Sequence, residues 1–162
     1  MSSPSPNDSF DRWYKAPLQH LESLPNGDGA FVALAVSCFL YERYCVAYLK
    51  SKKAKANDAA KRAQLEADFS VDTDTANAFW DVIRNGFLHQ GMGLQKTNKS
   101  DPLPTWSVSQ SFPRLQLDKG PPPKLKIQPW LFRDRVIELW DARPDLIDAN
   151  TSFPWATIYG PT

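Results

Sequence analysis

The stretch from Ala30 to about Lys53 decides most of what this chain can become. Phe31, Leu34, Ala35, Cys38, Cys45 and Leu49 recur at three- and four-residue steps, the spacing of one helical face. Val32, Val36, Phe39 and Leu40 cover much of the other side. The first half of this helix is therefore apolar nearly all round, which predicts a central place in a helical bundle. Glu42-Arg43 interrupts that surface: a carboxylate there has to pair, or sit at an edge that water reaches. The apolar run from Ala30 to Tyr41 is broken by Ser37 and stops short of the roughly 20 residues that cross a bilayer. The expectation is a soluble, cytoplasmic chain without a membrane partner.

With 162 residues the chain has room for one domain. Its 19 Lys+Arg against 18 Asp+Glu leave a formal net charge of +1. Attraction to nucleic acid then depends on where the cations sit and not on their total. Cys38 and Cys45 would share a helical face with Cα atoms about 10 Å apart, too far for a disulfide. They read as small core hydrophobes in a reducing compartment. Two histidines and two scattered cysteines give a structural zinc nothing to build from, so neither metal nor cofactor is expected. The opening from Met1 to Ser9 has neither the basic start nor the apolar centre of a signal peptide.

Organisation along the chain follows from punctuation. Residues 1–28 read as a tail, mobile to about Ser9, and a lead-in anchored by Phe10, Trp13, Tyr14, Leu18 and Leu21, which Pro17 would interrupt. Leu24-Pro25-Asn26-Gly27-Asp28-Gly29 is a turn, with Asn26 and Asp28 as candidate caps for the central helix. A shorter helix is expected from about Asn57 to Asp68. Asp72 or Thr73 can cap the next, whose apolar positions are Ala76, Phe79, Trp80 and Ile83. Gly86, Gly91 and Gly93 suggest a tight bend or close packing there. Trp106 and Val108, then Leu115 and Leu117, alternate with polar residues as two short strands, a small β-hairpin-like insertion at about 102–127, with Lys124 to Ile127 as a candidate third strand. Pro129 suits the first turn of a final helix carrying Phe132, Val136, Leu139 and Trp140, and the domain of 29–144 closes before Pro144. Residues 145–162 are expected to pack on the bundle as an extension.

Chemistry concentrates at Arg84 and His89, which bracket Asn85-Gly86-Phe87-Leu88. One is a permanent cation and the other the side chain that exchanges protons near neutral pH. On an ideal helix, positions five apart diverge by roughly 140°, so the two share a site if the helix bends near Gly86 or if a second copy of the chain completes it. Plain structural roles stand beside this, with Arg84 as a helix-end cation and His89 as a hydrogen-bonded turn residue. Lys50, Lys52, Lys53 and Lys55 form a basic cluster that is either a solvated helix end or a surface for RNA backbone.

Arg84-Asn85-Gly86-Phe87-Leu88-His89 resembles the Arg-polar-x-x-x-His signature of the HEPN superfamily. The likeness runs from about Gly29 to Leu94, through Leu40-Tyr41-Glu42-Arg43-Tyr44 and Phe79-Trp80-Asp81-Val82-Ile83. It implies an all-α, HEPN-like helical bundle in which the strands are an insertion. It also implies a metal-independent endoribonuclease or RNA-binding protein acting as a homodimer, of the kind found in toxin–antitoxin and defence systems, with a separate regulatory protein as a candidate partner. Under that resemblance Arg84 and His89 are the catalytic pair and Asn85 orients them or the phosphate. Cleavage would use the RNA 2′-OH and leave a cyclic phosphate. Glu42 is then a candidate internal partner for Arg84 or for Arg43. The alternative is a non-catalytic helical dimerisation or protein-interaction module, with the tryptophans and the Pro-rich segment as its recognition surface.

Overall fold

The computed structural model describes residues 5–90 and 103–150, with backbone alone at 88–90 and 148–150. Its fold is mostly helical with a small three-stranded sheet. The axis is α3 (Ala30–Ser51), which buries Ala33, Leu34, Ser37, Cys38, Tyr41, Tyr44 and Cys45 at the three-and-four spacing of one face. By length and composition α3 could also cross a membrane, and half of its apolar window is buried inside the fold.

Helix α3 packs along a later helix, Pro129–Asp141. Phe132, Val136, Leu139 and Trp140 of that helix are buried as the spacing predicts, and Trp140 Nε1 donates to the Leu40 carbonyl at 3.2 Å. Phe132 stacks on Phe69 and Phe79 with centroids 4.7 and 5.0 Å apart, joining three helices in one aromatic core.

The N-terminal lead-in is more ordered than expected. Helix α1 (Pro6–Phe10) opens with a capping box, in which Ser5 and Asp8 bond each other's backbone N–H groups at 3.1 Å. Ser9 and Phe10 are buried, and the Phe10 ring lies 5.6 Å from that of Trp140. Pro17 does not interrupt the helix. A π-helical turn, Asp11–Lys15, carries the chain into α2 (Ala16–His20), with the Ala16 N–H bonding the Asp11 carbonyl. The wider turn makes room for a residue that offers no N–H and crowds the preceding carbonyl.

Neither Asn26 nor Asp28 caps α3. Gly29 is its N-cap, without a side-chain bond, and a Cβ there would collide with the Leu21 carbonyl. Close backbone approach decides that position. Nor is α3 buried all round, because Phe31, Val32 and Phe39 stay 40%, 48% and 42% exposed. The other helices lie against one side and leave these three facing solvent.

Helix α4 (Asp58–Phe69) starts where Asn57 Oδ1 accepts the Ala60 N–H at 2.9 Å. Helix α5 (Thr73–Phe79) starts where Asp72 accepts the Thr75 N–H at 2.8 Å. It runs without a break through a π-helical turn, Trp80–Arg84, into α6 (Asn85–Gln90). Of the tight bend or close packing that the glycines suggest, no bend occurs at Gly86, since the backbone stays helical past it; Gly91 and Gly93 lie outside the described residues.

Strands β1 (Thr105–Val108), β2 (Leu115–Asp118) and β3 (Lys124–Ile127) follow. The first two do not form a hairpin. β3 lies between them, parallel to β1 and antiparallel to β2. Leu125 and Ile127 are the most deeply buried strand residues at 0% exposure, and the central place gives that face the most cover. After α7 (Pro129–Asp141), whose N-cap is Gln128, α8 (Pro144–Asn150) buries Leu146 and Ile147 beside α1 and α3. Phe153, Trp155, Ile158 and Tyr159, expected on the bundle, lie outside the described residues.

Candidate functional site

The π-helical turn brings Arg84 back toward the middle of α3. Its Nε donates to Glu42 Oε2 at 2.9 Å and its Nη2 to Glu42 Oε1, while Nη1 donates to Asn85 Oδ1 at 2.6 Å. The guanidinium carbon lies 5.2 Å from the centroid of the Trp80 ring, one turn earlier on the same helix. Glu42 thus grips one edge of the fork, Trp80 covers a face and Asn85 holds the remaining nitrogen.

A second cation closes the cluster. Lys61 of α4 reaches Glu42 Oε1 at 2.9 Å and Asp58 at 3.6 Å, and its ammonium sits 5.8 Å from the same Trp80 ring. Beside it, Arg62 pairs with Asp81 at 2.7 Å and donates to Asn77 Oδ1 at 3.0 Å, clamping α4 to the helix that carries Arg84. Burial pushes the Glu42 carboxyl up, but the hydrogen bonds from Arg84 and Lys61 outweigh it and hold the group below its ordinary value. Glu42 therefore stays ionised between two cations, and the trio of Glu42, Lys61 and Arg84 carries a surplus positive charge.

The hold on Arg84 is incomplete in a specific way. A guanidinium has five N–H donors, and among the described residues three are used, leaving one on each Nη nitrogen. Guanidinium N–H groups that no side chain takes up suit a phosphate or carboxylate. The Arg84 side chain is 16% exposed, so it is shielded but not sealed from solvent.

Of the residues singled out from sequence, Arg84, Asn85 and Glu42 come together. Arg43 is exposed beside Glu42. His89 belongs to α6, on the helical turn after Arg84; its side chain lies outside what is described. Lys50, Lys52, Lys53 and Lys55 are exposed where α3 ends and the chain turns toward α4, with no carboxylate partner among the described residues. They stand apart from the Arg84 cluster. Lys61 and Trp80 were not foreseen in it. The usable signals were the demand of Glu42 for a counter-ion and the four-residue step from Trp80 to Arg84.

Cys38 and Cys45 are free and buried. Burial pushes the Cys45 thiol up to about 12 and raises Cys38 well above its ordinary value, so neither is a nucleophile at neutral pH. Among the described residues no group of histidine, cysteine and carboxylate side chains could hold a metal ion. No family model, curated protein or solved structure matches this chain.

Proposed function

We propose that this protein acts on RNA as a HEPN-like homodimer, cleaving the backbone without a metal through Arg84 and His89. The observation that carries this reading is the way Glu42, Trp80 and Asn85 hold Arg84 while two of its N–H donors remain for an anion. A guanidinium so fixed grips the nonbridging oxygens as charge builds on the phosphorus. The imidazole of His89 takes the 2′-OH proton, the 2′ oxygen bonds to phosphorus, and the P–O5′ bond breaks to leave a cyclic phosphate, the departing 5′ oxygen taking a proton from water to become the alcohol. Glu42 is then a positioning residue. Lys50 lies eight residues beyond Glu42, about 12 Å farther along α3, and with Lys52, Lys53 and Lys55 supplies cations for the flanking backbone.

The second copy is argued from α3. Val32, Ala35, Phe39, Glu42 and Val46 follow each other at alternating three- and four-residue steps, the seam pattern of two packed helices. None of the five is fully buried within one chain. Phe31 beside them meets Phe87 of α6 edge-on at 5.2 Å, which joins this face to the helix carrying Arg84 and His89. A two-fold pairing here would set two Glu42–Arg84 pairs at one junction.

The exposed seam also favours a second reading, a dimerisation or protein-interaction module in which Glu42 and Arg84 only brace the interface. Labelled RNA incubated in chelator with the native chain, Arg84→Ala and His89→Ala separates them. Cleavage by the native chain alone, ending in cyclic phosphate and blocked by 2′-deoxy substitution at the scissile position, supports the nuclease. Equal products from all three proteins, or none from any, leave the interaction module.

A further inference from the structure

The three strands turn two different faces outward and inward. Leu115, Leu125 and Ile127 point into the core, so strand alternation puts Thr105 and Ser107, Gln116 and Asp118, and Lys124 and Lys126 on the other face. The register aligns Ser107, Lys126 and Gln116 in one row and Thr105, Lys124 and Asp118 in the next. Arg114, directly before β2, adds a third cation, while Asp118 is the one carboxylate that the strands place there. It reaches Lys126 at 2.9 Å. Lys124 and Arg114 have no ion pair among the described residues. Phe112 folds back from the β1–β2 connection so that its ring lies 5.8 Å from the Lys126 ammonium. Finally, Arg114 Nε and Ser107 Oγ reach no hydrogen-bond partner among the described residues, a costly state for groups withdrawn from water.

We infer that this outer face of the sheet binds single-stranded nucleic acid, with Lys124, Lys126 and Arg114 on the phosphates and Phe112 beneath a base. Lys124 and Lys126 are alternate residues of the central strand, about 6.6 Å apart, a step suited to successive phosphates of an extended strand. The Lys126 ammonium already sits over the Phe112 ring, and a basic surface with one stacking ring is sequence-tolerant because every base has a π face. Three short strands span about 10 Å by about 13 Å, enough for a few nucleotides of single strand and too little for a duplex. The exposed Gln116 amide supplies hydrogen bonds to sugars.

Fluorescence anisotropy of labelled oligo-uridine and oligo-thymidine, titrated with the full chain across a salt series, tests this. It reads binding alone, so it stands or falls separately from cleavage at Arg84. Lys124→Gln should weaken binding and lower the slope of log affinity against log salt by about 0.7, and Arg114→Gln should do the same. Asp118→Asn should tighten binding, because it removes the repelling carboxylate. Similar affinity for both oligonucleotides assigns the contacts to backbone and ring, and a preference for oligo-uridine adds a sugar contact. The inference is overturned if the native chain binds neither oligonucleotide, or if all three variants, shown folded by circular dichroism, bind as the native chain does. It is equally overturned if only neutralising Lys50, Lys52, Lys53 and Lys55 abolishes binding.

Discussion

Glu42 on α3 and Arg84 at the end of the π-helical turn meet across 42 positions of chain, with both carboxylate oxygens accepting from the same guanidinium. Their side chains are only 19% and 16% exposed, so water does little to replace the pair if it is broken. Lys61 makes the arrangement asymmetric: removing Glu42 strands two cations beside one tryptophan ring, whereas removing Arg84 leaves Glu42 with Lys61.

From that asymmetry, Glu42→Gln should cost more stability than Arg84→Ala. Loss of charge-assisted hydrogen bonds at a partly exposed site, with repulsion left behind, comes to about 2 kcal/mol. For a chain of this length that lowers the melting midpoint by about 4–8 °C. In the double variant the losses should not add, because each single change already removes the shared interaction. Thermal melts of the four proteins measure this; strictly additive losses would show that the two side chains do not depend on each other.

A second prediction turns on Asp68, at the end of α4. Tyr41 Oη donates to one of its oxygens at 3.0 Å and Gln64 Nε2 to the other at 2.8 Å. Burial raises the carboxyl above its ordinary value despite those bonds. A carboxyl raised on folding favours the folded state while protonated, and that contribution is lost as pH climbs from the ordinary value of 3.8 through the raised one. Asp68→Asn is never charged, and the Tyr41 hydroxyl can turn to accept from the new amide. The variant should therefore gain on the native chain as pH climbs above the ordinary carboxyl value of 3.8. Glu42 has the opposite sign: its lowered pKa gives stability present above the ordinary value and lost as pH falls through the folded one. Denaturant midpoints of both proteins across the range give the comparison, and a gap that stays constant with pH would remove Asp68 as a cost.

Much of the helical layout could be read from residue spacing, because the signals were local. Asn57 and Asp72 cap the helices that follow them, and Phe132, Val136, Leu139 and Trp140 mark a buried face by spacing alone. What escaped depends on distant partners. The sequence around Pro17 says that a helix should stop, and only the π-helical turn before it explains why it goes on. Alternation in β1 and β2 identifies two strands but cannot say that β3 will lie between them. At the site, Arg84 and Asn85 are adjacent in the chain and were found together, and Glu42 announced itself as a charge in an apolar helix. Lys61 looked like any lysine on a solvated helix, since its partner lies 19 positions away.

The solvent side of α3 supplies the last prediction. Val32 and Phe39 are 48% and 42% exposed, and they share the alternating three-and-four seam with Ala35, Glu42 and Val46. A helix paired with its own copy through such a seam buries these residues twice over, once from each chain, around a two-fold axis. Phe39→Glu places like charges opposite each other at that axis and removes the largest apolar side chain from the seam. In the isolated chain the substituted position faces water, so the helix itself tolerates the change. Sedimentation velocity over a concentration series should show the native chain as a dimer and Phe39→Glu as a monomer, with the far-UV circular dichroism of the two superimposable. A native chain that stays monomeric at every concentration would remove the pairing, and a Phe39→Glu chain that dimerises as tightly as the native one would place it elsewhere on the molecule; either result separates the Glu42–Arg84 cluster from a subunit junction.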